Sequence, residues 1–99
     1  MIVVRNVFRV KFGQSKPAVA AFQEGRALIK KLGMKAESRL LTDLVGISYT
    51  IVHELQFENL SAFEQEIKKA TGSPEWRAWY ETFIPYCESG SREIFNIVE

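Results

Sequence analysis

The chain has 99 residues, of which 46% are hydrophobic and 25% charged, a composition that is typical of soluble globular proteins and excludes a disordered chain. Thirteen basic and twelve acidic residues give a net charge of +1, without the concentrated basic surface on which nucleic-acid binding depends. The length fits a single domain over residues 1–99, with one hydrophobic core.

Cysteine and histidine usage argues against metal and disulfide chemistry. Cys87 is the single cysteine and His53 the single histidine, so there is neither an internal disulfide nor a second soft ligand at the short spacing of a zinc or iron site. No glycine-rich phosphate loop is present, and Arg5 and Arg9 interrupt any membrane span near the N-terminus. We therefore expect a cytoplasmic protein that holds no metal or cofactor and binds neither nucleic acid nor membranes.

The first predicted strand covers residues 2–12. Apolar side chains such as Val4, Phe8 and Phe12 alternate there with a more basic face, which is the period-2 pattern of a pleated strand. Asn6 is the one polar residue on the apolar face. We expect this face to pack against the helices.

A helix is predicted over residues 16–32. Ser15 is suited to cap its first turn, and Gly33 favours its end. The predicted buried stripe consists of Ala18, Phe22, Gly25, Ile29 and Leu32. The residues predicted to face water are Gln23, Glu24, Arg26, Lys30 and Lys31.

Two strands are predicted next, over residues 35–42 and 46–57. The connection between them is short, which makes the pair an antiparallel hairpin. The second is the longest strand of the chain and is rich in the β-branched and aromatic residues that favour sheets. Its predicted apolar face carries Ile47, Tyr49, Ile51, His53, Leu55 and Phe57.

A second helix is predicted after this strand. It begins at Asn59, or at a capping box formed by Ser61 and Glu64, and it ends at Gly72. Both starts are consistent with the sequence.

A third helix and a last strand complete the chain. Ser73 and Pro74 read as the cap and the first residue of an aromatic helix, which ends near Phe83 because a proline follows shortly after it. A loop is predicted over residues 88–90, and a closing strand over residues 91–98.

The order strand, helix, strand, strand, two helices, strand predicts an α+β, ferredoxin-like βαββααβ fold. Right-handed crossovers give a four-stranded antiparallel sheet of order 4-1-3-2. The helices can cover only one face of this sheet. On the other face Val3, Val7 and Val52 lie among charged residues, and a second copy of the chain is the expected cover, which makes a homodimer.

This order, together with the segment SPEWRAWYETFIPYCESGSREIF, resembles the dimeric α/β-barrel superfamily, especially its NIPSNAP-like and antibiotic-biosynthesis-monooxygenase-like (ABM-like) members. The resemblance implies that two sheets pair into a barrel. The functions that it implies range from cofactor-free oxygenation and haem degradation to no established activity, so whether the chain is an enzyme stays open. No catalytic residue is identified.

The polar and aromatic residues suggest one ligand site. His53 should point from the central strand toward the helices, and the aromatic helix and the turn after it supply walls for a pocket. The candidate ligand-binding residues are Tyr49, His53, Trp76, Trp79, Tyr80 and Tyr86. The alternative is that His53 is a core histidine satisfied by one hydrogen bond and that the aromatic residues fill space.

Two hypotheses follow. In the first, the protein binds a small, planar, aromatic or apolar metabolite between helices and sheet, and any oxygenation is cofactor-independent, by analogy with part of the superfamily. In the second, it is a non-enzymatic homodimerisation or interaction module with a filled core. A cavity beside His53 would distinguish the two hypotheses.

Overall fold

Four strands, three α-helices and one 3-10 turn make up the computed structural model, which describes residues 1–99. The elements are β1 (Ile2–Val10), α1 (Ser15–Lys31), β2 (Ser38–Thr42), β3 (Thr50–Phe57), α2 (Leu60–Thr71), α3 (Pro74–Phe83), the 3-10 turn (Ile84–Tyr86) and β4 (Cys87–Asn96). This confirms the predicted order of elements.

The four strands form one antiparallel sheet of order β2-β3-β1-β4. Read from the other edge, this is the predicted order 4-1-3-2, and the ferredoxin-like α+β fold is confirmed. In the β1–β3 register, Asn6 lies opposite His53 and Phe8 lies opposite Ile51. The two central strands therefore place a polar pair in the middle of the face that the helices cover.

The hydrophobic core lies between this face and the helices, in two clusters. The first cluster consists of Val10, Ala18, Phe22, Ile51, Trp79 and Phe83. The second consists of Ile2, Val4, Leu55, Phe57 and Phe63. The apolar face of β3 thus points toward the helices as predicted. None of the helices has both the length and the apolar character that crossing a membrane requires.

Several predicted strand ends are wrong, and β2 begins at Ser38 rather than at residue 35. β3 begins at Thr50 rather than at residue 46, because Tyr49 takes a left-handed backbone conformation with φ 61° that breaks the pleat. Residues 43–49 form a loop that is longer than predicted, with Leu44 and Val45 almost fully exposed. β1 ends at Val10, and the side chain of Phe12 is 85% exposed.

The last strand begins earlier than predicted. The expected loop at residues 88–90 belongs to β4, because Ser89 and Gly90 pair with β1 and Glu88 lies at a bulge in the same strand. Gly90 lies opposite Phe8, and a Cβ atom at this position would come within 3.3 Å of the Phe8 ring. The small residue that suggested a loop therefore leaves room for an aromatic neighbour.

The helix starts are partly as predicted. The Asn59 side chain accepts a hydrogen bond from the Ala62 amide at 2.9 Å, so Asn59 caps α2 and not the alternative capping box. Ser73 accepts one from the Glu75 amide at 3.2 Å and caps α3. Ser15 does not cap α1, since it is already the first helical residue.

The sheet face without helices is less apolar than expected. Val7 and Val52 are each only 8% exposed in the single chain. Beside them, Glu54 forms ion pairs with Arg5 at 3.1 Å and with Arg39 at 2.5 Å. The exposed apolar residue on this face is instead Phe95, which lies opposite Val3 and is 47% exposed.

Candidate ligand-binding site

A cavity of about 410 Å³ lies between the sheet and the helices, next to His53. Asn6 and Phe8 of β1 form its floor together with His53, and Trp76 and Tyr80 of α3 form part of its wall. Ten of its 16 lining residues are hydrophobic, so the cavity suits a mostly apolar molecule. The core beside His53 is therefore not filled.

His53 is buried but has no partner within the chain. Its side chain is directed to the helix face in the middle of β3, the residue is 4% exposed, and its ring meets the Phe22 ring edge-on at 5.0 Å. No side-chain hydrogen bond of the chain involves His53, and the residue lines the cavity. The hydrogen bond expected of a core histidine is therefore not made within the chain.

The imidazole is neutral at neutral pH. Burial and, to a smaller extent, the positive charge of Arg26 together lower the pKa of His53 to about 4. A neutral imidazole carries one donor and one acceptor nitrogen. His53 can therefore orient a ligand by hydrogen bonding without presenting a charge to it.

A second cavity, of about 270 Å³, is also lined by His53. Arg26 and Lys30 of α1 and Ser38 of β2 line it. The two cavities share four lining residues, which are Ile29, Met34, His53 and Leu55. His53 thus stands where an apolar cavity meets a basic one.

The three aromatic residues of α3 at the cavity differ in their surroundings. Trp76 stacks on Tyr80 with ring centroids 4.6 Å apart and an angle of 18° between the rings. Trp79 is a core residue, because its Nε1 donates to the Ala21 carbonyl at 2.8 Å and its ring stacks on Phe83 at 5.6 Å. Trp76 and Tyr80 are therefore free to contact a ligand, whereas Trp79 mainly supports the wall.

Two of the six predicted site residues lie elsewhere. Tyr49 packs on Phe12 with ring centroids 4.9 Å apart and lines a separate depression near Asp43. Tyr86 lies in the turn after α3, where its carbonyl accepts a hydrogen bond from the Lys11 amide at 2.8 Å. The cavity brings together the other four, which are His53, Trp76, Trp79 and Tyr80.

Seven polar residues of the two cavities were not predicted as site residues, and three of them, Asn6, Arg92 and Arg26, have contacts that bear on the site. Arg92 of β4 donates from Nε to Asn6 Oδ1 at 2.8 Å, and its guanidinium lies 5.3 Å from the centre of the Phe63 ring. The third is Arg26. Asn6 carried a signal, as a polar residue on an apolar face, and Arg26 follows Phe22 by one helical turn at the edge of the buried stripe.

Metal and thiol chemistry find no support at this site. No group of His, Cys, Asp and Glu residues could hold a metal ion. Cys87 does not line the cavity beside His53, and burial raises the pKa of its thiol despite the opposing charge of Lys11. A thiol of this kind is a poor nucleophile.

Comparison with protein-family models gives no match, and comparison with curated proteins gives none either. Among solved structures, an uncharacterized NIPSNAP domain protein from Burkholderia xenovorans has a TM-score of 0.89 at 19% sequence identity, covering 99% of this chain and 95% of that chain. A putative antibiotic biosynthesis monooxygenase from Nitrosomonas europaea has a TM-score of 0.75 at 12% identity, and the match covers 100% of each chain.

SnoaB, a cofactor-independent oxygenase from Streptomyces nogalater, has a TM-score of 0.73 at 13% identity, covering 99% of this chain and 93% of that chain. Identities of this size show a shared fold and nothing about shared chemistry. At the level of the fold, they confirm the resemblance to NIPSNAP-like and ABM-like proteins.

Proposed function

We propose that this protein binds a small, planar, largely apolar molecule in the cavity between sheet and helices. The observation that carries the proposal is the cavity itself, which adjoins a buried histidine with no hydrogen-bond partner. Its volume of about 410 Å³ falls within the range of about 300–1,000 Å³ that is usual for ligand pockets. An interaction module would need no such space in its core.

The chemistry of the lining supports a planar ligand. The stacked pair of Trp76 and Tyr80 offers a flat aromatic face, and Phe8 adds an apolar floor. His53 and Asn6, opposite each other in the sheet, supply polar groups at one side. A ligand with an aromatic body and one polar substituent would match both features.

Binding is better supported than oxygenation. Cofactor-independent oxygenation is the activity of SnoaB, and its fold is similar to this one. A cofactor-free oxygenase must activate its substrate with its own side chains, for which a general base with a pKa near the working pH is best suited. His53, with a pKa of about 4, is a weak base.

We also propose that the chain forms a homodimer through the sheet face without helices and works in the cytoplasm. Phe95 and Val3 leave apolar surface there, beside the charged groups of Arg5 and Glu93. A two-fold axis would place these residues against their counterparts in the second chain. The unpaired Cys87 favours a reducing compartment.

The binding proposal is tested with 2-naphthol as probe, followed by calorimetry and by the NMR signal of the imidazole. The chain has one histidine, so this signal reports on His53 alone. Trp76→Ala should weaken binding about tenfold, because it removes the stacking face. Tyr49→Ala is the matched control, since it truncates an aromatic residue outside the cavity. Equal affinities of the two variants would contradict the proposal.

A further inference from the structure

The charged residues that line the two cavities beside His53 are all basic. Arg26 and Lys30 line the smaller cavity, and Arg92 lines the larger one. No aspartate or glutamate lines either cavity. This is unusual for a chain in which thirteen basic residues are nearly balanced by twelve acidic ones.

None of these three cations forms an ion pair. Every salt bridge of the chain involves Arg5 or Arg39 instead, and both of these pair with Glu54. Arg26 and Lys30 also border a groove that contains Glu37 and Glu54, but neither carboxylate is within salt-bridge distance of them. The three cations beside His53 are therefore not held in ion pairs within the protein.

Arg26 in particular has unused hydrogen-bonding capacity. Its Nη2 donates to the carbonyl and the hydroxyl of Ser38 at 3.3 and 3.1 Å, which are both neutral acceptors. Its Nε is buried and has no partner. Buried donors are normally satisfied, and a guanidinium that meets a carboxylate or similar anion forms its strongest hydrogen bonds.

We propose that the ligand is an anion, an aromatic acid whose anionic group binds at Arg26 and Lys30 while its apolar body lies in the larger cavity. The inference rests on the proposed function and names the ligand class of the same site. The aromatic body contacts Trp76 and Tyr80, and the neutral imidazole of His53 lies between the two ends. An uncharged ligand would leave the basic cavity without a counter-charge.

The proposal is tested with a pair of probes of matched size and shape, 2-naphthoate and 2-naphthamide. Their affinities are measured by calorimetry near neutral pH, and the NMR signal of His53 shows whether each probe binds at this site. In the wild-type protein, 2-naphthoate should bind at least about tenfold more tightly, as expected for charge-assisted hydrogen bonds.

Three arginine variants show which residue causes the preference for 2-naphthoate. Arg26→Gln should abolish the preference for 2-naphthoate, whereas Arg26→Lys should keep most of it because the charge is retained. Arg39→Gln is the matched control, since it removes the same charge from an arginine that pairs with Glu54 and lies outside both cavities. Lys30→Gln, at an exposed position that does not affect packing, should reduce the preference about threefold.

The outcomes separate this inference from the proposed function. If both probes bind equally with a shift of the His53 signal, the anion inference is overturned while the proposed cavity stands. If the preference survives in Arg26→Gln, the assignment to Arg26 is overturned. If neither probe binds nor shifts the His53 signal, both proposals are overturned.

Discussion

Replacing Gly25 by alanine should destabilise the protein, because the Trp79 indole fills the space into which a Cβ atom would project. A Cβ built at this position overlaps Cζ2, Cε2 and Cη2 of the indole. The indole cannot easily move aside, since its Nε1 is bonded to the Ala21 carbonyl and its ring is stacked on Phe83. Gly25 therefore sets how closely α1 and α3 approach each other.

The magnitude follows from opposing terms. Inside a helix, alanine is more favourable than glycine by about 1 kcal/mol. Overpacking a filled core costs about 1–3 kcal/mol. Losing or bending the hydrogen bond of Trp79 to Ala21 adds about 0.5–1.5 kcal/mol. The sum predicts that Gly25→Ala lowers the free energy of unfolding by about 2 kcal/mol.

Urea unfolding of a double-mutant cycle measures this coupling. The second change is Trp79→Leu, which removes all three indole atoms that a Cβ at position 25 would overlap. In that background, Gly25→Ala should be neutral or stabilising, because only the helix-propensity gain is left. The reasoning is refuted if Gly25→Ala stabilises the otherwise unchanged protein, or if its cost is the same with and without Trp79.

Three further predictions concern His53, Phe95 and Asn59. The free energy of unfolding should fall by about 3 kcal/mol as the pH drops from about 6.5 to about 4, because His53 is protonated at a higher pH in the unfolded chain than in the folded one. His53→Gln should flatten this part of the plot of unfolding free energy against pH, and an unchanged slope would contradict the burial of a neutral imidazole. Light scattering of the wild-type protein should give about twice the chain mass of 11.3 kDa, and a monomeric mass would overturn the proposed dimer. Phe95→Glu should shift the measured mass toward that of the monomer. Asn59→Ala should lower the free energy of unfolding, measured by chemical denaturation, by about 1 kcal/mol, and Ser61→Ala, which removes no cap, should lower it much less. The reverse order of the two effects would favour the alternative capping box.

The fold was predictable because its signals are local and agree with each other. Alternation in β1 and β3, the caps at Asn59 and Ser73, and Pro74 at the start of α3 each define one element. The order of elements then restricts the sheet to one topology. Errors arose where the conformation depends on contacts distant in sequence.

Tyr49 and Gly90 illustrate these errors. Tyr49 continues the alternation of β3 in sequence, but its backbone turns into the left-handed region, which the pattern does not reveal. Gly90 indicated a loop, yet it belongs to β4 because its backbone pairs with β1 and its missing side chain makes room for Phe8. Neither the left-handed backbone at Tyr49 nor the pairing of Gly90 with β1 follows from the neighbouring residues alone.

Part of the candidate site could be predicted from the sequence. His53 and the aromatic residues of α3 were found because a polar residue on an apolar face and a cluster of large rings are both conspicuous. Arg26 was predicted to face water, because charged residues on a helix usually face water. Its contacts with Ser38 depend on how β2 docks beside α1, which the sequence does not define.

The central place of β1 determines when the fold can be completed. Ile2 pairs with Phe57 on one side and with Asn96 on the other, so β1 has both neighbours only when residues from opposite ends of the chain meet. Closing loops of this length costs entropy before the contacts offset it, which slows folding. Until β4 docks, one edge of β1 keeps free amide and carbonyl groups that can pair with another chain. A growing chain is therefore most prone to misassociation in the interval before its last strand is synthesised.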